Sequence, residues 1–311
     1  MTQYLLDSGD PNEYRSISTL AKEHHEVLFG ATTNPTLIAK KLAGKKVSQD
    51  EAFELQKQIV MEILDIVPGP VSAEVYADET TTADQMIEQG RTIAKWHERI
   101  VVKLPTTLEA FKARTTLRRE KILINNTLVF SQQQVLAVCL HEKLLQQEGS
   151  IENDWPASNA SRSDAGWPPF ISPFVGRLDD KGEDGIALIE HAMRQKRAHN
   201  FTPLILLSSV RKLEHVKRGI DCEVDLMTSP GKVYEEWFPL TAEQRTAIDS
   251  KAYATNLKTI DYWDPDPELL AIDSVDSFME ALVAGVIDIR HDLTDTGLTR
   301  FAQDWQTIIL S

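Results

Sequence analysis

The chain has 311 residues, of which 42% are hydrophobic and 26% are charged, and its formal net charge is −14. This composition is typical of a globular protein, and so acidic a chain has no general basic surface for nucleic acid or an anionic membrane. The two cysteines, Cys139 and Cys222, indicate neither a disulfide framework nor a zinc site. Because the sequence lacks a targeting pattern and a membrane-length apolar stretch, we expect a cytoplasmic protein.

Short β-rich runs alternate with longer segments of helical periodicity, which predicts strand–helix units around a parallel sheet. The predicted strands cover residues 3–6, 27–31, 71–75, 100–103, 122–125, 169–172, 204–207 and 222–226. Eight strands joined by crossovers of this length predict one closed (β/α)8 barrel, the TIM-barrel fold.

Amphipathic segments separate the strands, and the apolar residues of 82–97 recur at the spacing of a helix packed on a core. Residues 148–168 lack periodicity and are rich in Ser, Asn, Asp, Gly and Pro, which predicts a long surface loop. After Pro230 the pattern becomes helical and acidic, and two helices are predicted at 275–290 and 293–310. We interpret 1–311 as one domain, with 230–311 as a helical extension packed on the barrel.

Lys103 ends the fourth predicted strand, in the run Arg99-Ile100-Val101-Val102-Lys103-Leu104-Pro105. It is the one ammonium among aliphatic side chains just before a proline. Burial disfavours the charged amine, so a lysine in such a place can lose its proton near neutral pH and attack a carbonyl. Lysines at strand ends also commonly extend their charge to solvent, and this run alone does not decide between the two interpretations.

Polar side chains follow or end nearly every predicted strand. They are Asp7, Thr33, Asn34, Glu74, Asn125, Thr127, Ser172, Ser208 and Ser209. In a (β/α)8 barrel the C-terminal ends of the strands converge on one mouth, where active sites of this fold are built. Each of these residues taken singly could cap a helix or begin a turn. Agreement among six strands favours one shared site that includes Lys103.

Two arginines follow the sixth and seventh predicted strands. Arg177 lies in Phe174-Val175-Gly176-Arg177, and Arg211 lies in Ser208-Ser209-Val210-Arg211. Loops late in this barrel often bind phosphate, and a guanidinium with nearby hydroxyls and amides suits a phosphate dianion. Surface arginines need no special explanation. In a chain this acidic, however, two arginines at adjacent strand ends favour an anionic substrate.

At this point the residues resemble a known family, the transaldolases, which are Schiff-base enzymes of the pentose phosphate pathway. The resemblance extends from the N-terminus to about Asp221 in chain order. The matching stretches are Leu5-Leu6-Asp7-Ser8-Gly9-Asp10, Gly30-Ala31-Thr32-Thr33-Asn34-Pro35-Thr36-Leu37, Val71-Ser72-Ala73-Glu74-Val75, Val101-Val102-Lys103-Leu104-Pro105, Asn125-Asn126-Thr127-Leu128-Val129-Phe130-Ser131 and Ile171-Ser172-Pro173-Phe174-Val175-Gly176-Arg177.

The resemblance implies that Lys103 forms the Schiff base and that Asp7 handles the C4 hydroxyl proton during carbon–carbon cleavage. It implies that Glu74 and Thr127 hold a water that shuttles protons during imine formation and hydrolysis. The substrate-binding residues that it implies are Thr33, Asn34, Asn125, Ser172, Phe174, Arg177, Ser209 and Arg211. No metal or organic cofactor is then expected, because the protonated imine is itself the electron sink.

Phe174 and Glu74 separate two similar activities, because the related fructose 6-phosphate aldolases usually carry tyrosine and glutamine at these places. The resemblance therefore implies transfer of dihydroxyacetone from sedoheptulose 7-phosphate or fructose 6-phosphate to glyceraldehyde 3-phosphate or erythrose 4-phosphate. A fructose 6-phosphate aldolase-like lyase that releases free dihydroxyacetone is the alternative. Val210 and the long 148–168 segment depart from the family's usual pattern, and both bear on acceptor preference.

Other functional classes fit the residues less well. A non-catalytic sugar-phosphate-binding protein would lack a catalytic residue, whereas Asp7, Glu74 and Lys103 are all present. A metal-dependent aldolase would need a histidine cluster, and the eight histidines show no ligand spacing. No glycine-rich loop leads from a strand into a helix, as nucleotide binding would require. The expected partners are phosphorylated sugars, and the family suggests a homodimer.

Overall fold

The computed structural model describes residues 2–151 and 168–310, and these residues contain a closed barrel of eight parallel strands. The strands are β1 (Gln3–Asp7), β2 (Leu28–Thr32), β3 (Val71–Glu74), β4 (Ile100–Pro105), β5 (Ile124–Val129), β6 (Phe170–Pro173), β7 (Leu204–Leu207) and β8 (Leu226–Ser229). Each strand pairs with its sequence neighbours, and β8 pairs with β1 to close the barrel. The predicted (β/α)8 fold is confirmed.

Helices follow the strands around the outside of the barrel. Those up to the end of the eighth unit are α1 (Pro11–Glu23), α2 (Pro35–Lys41), α3 (Gln49–Leu64), α4 (Ala83–Ala94), α5 (Leu108–Arg119), α6 (Gln132–Gln147), α7 (Val175–Asp179), α8 (Gly185–His199), α9 (Leu213–Asp221) and α10 (Gly231–Trp237). Further along the chain lie α11 (Ala242–Ala247), a 3₁₀ turn (Ala252–Asn256), α12 (Pro267–Leu270), α13 (Val275–Val283) and α14 (Asp292–Gln306). Among these, α13 packs on α5 and α6, and α14 packs on α2 and β5.

Local sequence fixes where the helices begin. The side chains of Asp10 and Asn34 accept hydrogen bonds from the first turns of α1 and α2, and a proline follows each of them at the first helical position. Thr82 and Gln85 form a reciprocal capping box at the start of α4. The caps of α1 and α2 begin each helix directly after a strand, so the loops that follow β1 and β2 at the barrel mouth are short, whereas a longer loop joins β3 to α4.

Two predicted strand boundaries are wrong, the start of the eighth strand and the end of the fifth. The eighth strand begins at Leu226 and not at residue 222, because Cys222 caps the C-terminus of α9 and Glu223 adopts a left-handed turn with φ 58°. The fifth strand continues to Val129, so Asn125 and Thr127 lie inside it and do not follow it. Of the predicted helices, 275–290 ends at Val283 and 293–310 corresponds to α14. Most of the predicted loop 148–168, residues 152–167, lies outside the described residues.

Apolar side chains fill two layers of the molecule. The larger layer lies between the strands and the helices. A smaller cluster fills the barrel interior, and it consists of Leu5, Val101, Phe170, Leu204, Leu206 and Leu226. Because side chains alternate along a strand, the next inward positions toward the C-terminal ends lie above this apolar floor. Within the described residues, no helix has the length and apolar character to cross a membrane.

Candidate active site

Strand register brings the predicted polar residues together at the barrel mouth. Glu74 on β3 is the direct neighbour of Lys103 on β4, and Lys103 is in turn the neighbour of Asn125 on β5. Laterally paired residues of parallel strands point to the same face of a sheet, so these three side chains all enter the barrel. Asp7 and Thr32 are paired in the same way on β1 and β2.

The Lys103 amine is buried and has a carboxylate partner. The side chain is 3% exposed, and Nζ lies 3.0 Å from Glu74 Oε2 and donates to the Thr33 carbonyl at 3.2 Å. The rings of Phe174 and Phe301 lie on two further sides, with centroids 5.9 and 6.0 Å from Nζ. Lys103 therefore does not extend to solvent, and its amine has both a nearby proton acceptor and an apolar enclosure.

Desolvation in the barrel mouth acts on both carboxyl groups. It raises the pKa of Glu74, although the charge and hydrogen bond of Lys103 oppose the shift. It also raises the pKa of Asp7, against the charge of Lys103 and a 2.7 Å hydrogen bond that Thr32 Oγ1 donates to Asp7 Oδ1. A carboxyl group with a raised pKa exchanges protons more readily near neutral pH, so both groups are suited to general acid and base catalysis.

A chain of hydrogen bonds orients the side-chain amide of Asn125, which is the neighbour of Lys103 on the next strand. Ser172 Oγ donates to Asn125 Oδ1 at 2.6 Å, and Asn125 Nδ2 donates to Ser72 Oγ at 3.0 Å. The Thr33 hydroxyl donates to the Ser72 carbonyl at 2.8 Å, so it faces the strand and not the cavity. Thr127 Oγ1 is buried without a hydrogen-bond partner among the described residues. An unpaired hydroxyl at this depth is a free position for a substrate or water.

Glu74 contacts the amine directly, whereas the resemblance implies a carboxylate-bound water. No other described group donates to Glu74 Oε2, and the gap of 3.0 Å to Nζ leaves no room for a water between them. The carboxylate is therefore positioned to take a proton from the ammonium itself. The water-holding role of Glu74 and Thr127 stays a prediction.

The outer end of the site carries the predicted arginines. The Arg177 guanidinium lies between the rings of Phe174 and Phe301, 5.2 and 5.3 Å from their centroids. Arg211 forms a bidentate ion pair with Asp180 at the surface. Both oxygens of this carboxylate occupy the fork that would bind a phosphate, so an anionic substrate must displace Asp180.

Tight backbone packing holds this end in place. A side chain at Gly176 would come within 2.4 Å of the Ser209 carbonyl oxygen and 2.5 Å of Arg211 Nε, so only glycine permits this approach. Ser209 itself has φ 59°, in the left-handed region that non-glycine residues rarely adopt. The strained turn after β7 thus sets Ser209 and Arg211 beside Arg177.

The side chains surround one cavity of about 200 Å³. The predicted residues that line it are Asp7, Asn34, Lys103, Ser172, Phe174, Arg177, Ser208, Ser209 and Arg211. The lining residues that the sequence prediction missed are Thr32, Thr36, Leu37, Thr228, Arg300 and Phe301. Glu74, Asn125 and Thr33 do not line the cavity but contact Lys103 or Ser172, which do. Thr127 is buried on β5 and is not part of the lining. Within the described residues, no three metal-ligating side chains converge.

Comparison with known proteins decides the family. The sequence model of the family described as transaldolase/fructose-6-phosphate aldolase matches residues 4–311. The chain belongs to this family of enzymes. The predicted resemblance is confirmed, and it extends beyond Asp221 to the end of the chain.

Curated relatives in the family carry the name probable transaldolase. One from Roseiflexus castenholzii is 34% identical over 255 residues, which cover 81% of this chain and 98% of that protein. One from Brevibacillus brevis is 37% identical over 243 residues, which cover 77% and 92%. One from Thermus thermophilus is 30% identical over 304 residues and covers 97% of both chains. Some relatives in the family thus align with about four fifths of this chain and others with nearly all of it.

The missed residues differ in how far the sequence could have identified them. Thr228 points into the barrel from β8, so the strand-end argument would have included it if the strand had been placed at Leu226–Ser229. Arg300 and Phe301 lie on α14, remote in sequence from every strand. The apolar periodicity of 293–310 indicates that this helix packs on something, but it does not indicate the barrel mouth.

Proposed function

We propose that this protein is a transaldolase that transfers dihydroxyacetone from a ketose phosphate to an aldose phosphate through a Schiff base on Lys103. The observation that carries the proposal is a buried amine 3.0 Å from a carboxylate, in a cavity with Asp7 on one side and arginines at the outer end. Membership of the family supports it. Sedoheptulose 7-phosphate and fructose 6-phosphate are the proposed donors, and erythrose 4-phosphate and glyceraldehyde 3-phosphate the acceptors.

Imine formation begins with proton transfer from the Lys103 ammonium to the Glu74 carboxylate. The free amine then attacks the ketone carbon of the donor and forms the carbon–nitrogen bond of a carbinolamine. Glu74 returns its proton to the departing hydroxyl group, which leaves as water, and a protonated imine remains. We assign the hydrogen bond to this water to Thr127 Oγ1, which is buried and has no partner among the described residues.

Carbon–carbon cleavage uses Asp7 as the base. Asp7 takes the proton of the C4 hydroxyl group, the bond between C3 and C4 breaks, and its electrons move into the protonated imine. An aldose phosphate leaves and an enamine stays on Lys103. The acceptor aldehyde then enters and the same steps run in reverse. Asn34 and Ser172 line the cavity where the hydroxyls of the dihydroxyacetone unit would lie, and Asn125 orients Ser172.

Borohydride trapping tests the proposal. We expect reduction in the presence of fructose 6-phosphate to leave a dihydroxyacetone adduct on Lys103, detected by peptide mass mapping. Lys103→Ala should give no adduct and no transfer, whereas the control Lys232→Ala, at an exposed lysine of α10, should behave as the wild type. An adduct on another lysine, or undiminished transfer by Lys103→Ala, would overturn the assignment.

A second measurement separates transfer from simple cleavage, because the family description covers both activities. We expect fructose 6-phosphate alone to release dihydroxyacetone slowly, and addition of erythrose 4-phosphate to accelerate its consumption. Phe174, close to the Lys103 amine, is the residue on which this expectation rests. Equal rates with and without the acceptor would favour the aldolase. The cytoplasmic location, the pentose phosphate pathway, the single-domain boundary and the homodimer stay predictions.

A further inference from the structure

The cavity has an excess of positive charge that its known partners do not balance. Four of its lining residues are basic, namely Lys103, Arg177, Arg211 and Arg300, and only Asp7 is acidic, although the chain as a whole carries −14. Cations held close together in a partly desolvated site repel one another unless an anion binds between them. Lys103 is paired with Glu74. Arg211 is likewise paired with Asp180. The excess therefore lies at the outer end, with Arg177 and Arg300.

Arg300 is the arginine with the weakest link to a carboxylate. Its Nε lies 3.7 Å from Asp304 Oδ2, and its side chain is 64% exposed. That carboxylate oxygen already accepts a hydrogen bond from Thr36 Oγ1 at 2.5 Å. Among the described residues, the guanidinium of Arg300 makes no hydrogen bond. Its donors are thus available to a ligand in the cavity.

Arg177 and Arg300 lie close enough to affect each other. Desolvation lowers the pKa of the Arg177 guanidinium, and the positive charge of Arg300 lowers it further. Within the described part of the chain, Arg177 has no ion-pair partner and is held by two aromatic faces. Two neighbouring guanidinium groups, of which one has no ion-pair partner among the described residues and the other only a distant one, form the kind of site that binds a phosphate dianion.

The barrel fixes the position of α14, and hence of Arg300. Thr294 Oγ1 donates to the Leu128 carbonyl at 2.8 Å, and Gln134 Nε2 donates to Thr294 Oγ1 at 2.9 Å. A side chain at Gly297 would come within 2.7 Å of Arg177 Nη1, so the helix backbone packs directly against that guanidinium. Arg300 follows one helical turn later, on a helix that cannot slide without breaking these contacts.

We propose that Arg300 is a third guanidinium of the phosphate subsite, and that α14 completes this subsite from the C-terminal part of the chain. The inference rests on the proposed function, because that function supplies the phosphorylated sugar. Arg177 binds the phosphate from the enclosed side, Arg211 binds it after releasing Asp180, and Arg300 binds it from the solvent side. Because Arg300 is exposed, its contribution is smaller than that of an enclosed arginine and decreases with salt.

The kinetic test uses one acceptor with and without its phosphate. With saturating fructose 6-phosphate as donor, we expect Arg300→Gln to raise the KM for erythrose 4-phosphate about fivefold and to leave that for erythrose unchanged. Arg300→Lys should retain most of the wild-type affinity because it keeps the charge. The difference between the wild type and Arg300→Gln should shrink at high salt. An unchanged KM, or an equal rise for both acceptors, would overturn the inference.

Inorganic phosphate provides a readout that does not need activity. We expect phosphate to raise the thermal unfolding midpoint of the wild type and of the control Arg290→Gln, at an exposed arginine just before α14, more than that of Arg300→Gln. If the wild type forms no adduct on Lys103 but this pattern holds, the proposed function fails and the anion subsite stands. If the wild type is active and Arg300→Gln matches it in both assays, the inference alone fails.

Discussion

Two buried ionic clusters lie on opposite sides of the barrel wall, and they differ in how completely their polar atoms are paired. Inside the mouth, Lys103 and Glu74 form one ion pair, and Glu74 Oε2 has no other donor. Outside the barrel, between α5 and α6, Arg114 and Arg118 bind the two oxygens of Glu142 at 2.7 and 2.6 Å. The inner cluster opens into the cavity, whereas the outer cluster is enclosed by packing.

In the outer cluster, no buried side-chain nitrogen or oxygen lacks a hydrogen-bond partner among the described residues. Arg114 contacts His141 Nδ1 as well as Glu142, and the His141 ring stacks on Phe278 of α13 at 5.1 Å. The guanidinium groups hold the pKa of Glu142 below its usual value despite burial. In the inner cluster the same residue type, Glu74, has a raised pKa. A buried carboxylate with full partners stabilises the fold, and one with few partners is available for chemistry.

The largest expected effect is loss of catalysis in Glu74→Gln. An amide cannot take the proton of the Lys103 ammonium, so we expect kcat to fall about a thousandfold. The free energy of unfolding should change by less than about 1 kcal/mol, because desolvation raises the pKa of Glu74 and so works against its charge. Steady-state kinetics and urea denaturation measure the two quantities. A large loss of stability with nearly normal kcat would reverse the comparison between the clusters.

The next effect is loss of stability in Glu142→Gln, which leaves two buried guanidinium groups without their counter-charge. We expect the free energy of unfolding to fall by about 3 kcal/mol at pH 7, with kcat of the folded enzyme little changed. The control Glu148→Gln, in a more exposed pair with Arg119, should change it by less than about 0.5 kcal/mol. Urea denaturation curves provide both values.

The pH dependence of the same variant has a definite sign. A carboxyl group whose pKa is lowered in the folded state contributes stability above its unfolded value, here 4.5 for Glu142, and loses it as the pH falls through the folded value. The difference in free energy of unfolding between the wild type and Glu142→Gln should therefore be constant above about pH 6 and shrink below pH 4.5. A difference that increases toward acidic pH would contradict the lowered pKa of Glu142.

The smallest effect concerns the outer end of the cavity. Arg211→Ala should raise the KM for fructose 6-phosphate about tenfold while affecting unphosphorylated fructose far less, because only the former presents a phosphate to the guanidinium. Arg197→Ala removes a similarly exposed arginine from an ion pair with Glu223 and should change neither KM. Equal effects of Arg211→Ala on both donors would mean that the phosphate subsite is misplaced.

Much of the site was predictable because barrel topology converts sequence position into spatial position. Polar residues at the C-terminal ends of parallel strands must meet at one mouth, and this argument alone placed Asp7, Lys103 and Ser172 in one cavity. It failed at Thr228 because the start of β8 was predicted four residues early. It could not decide that the Thr33 hydroxyl turns away to the Ser72 carbonyl, since that depends on the rotamer and on the neighbouring strand.

The sequence by itself determined the strand–helix alternation, the family and the residue types of the chemistry, because these depend on local pattern and order along the chain. Only the tertiary structure decided that the Lys103 amine has Glu74 as a direct partner, since the pairing register of β3 and β4 sets that distance. It alone placed Arg300 and Phe301 of α14 at the mouth. The local sequence does not show which part of the molecule a helix packs against, because its apolar periodicity identifies only the face that is buried.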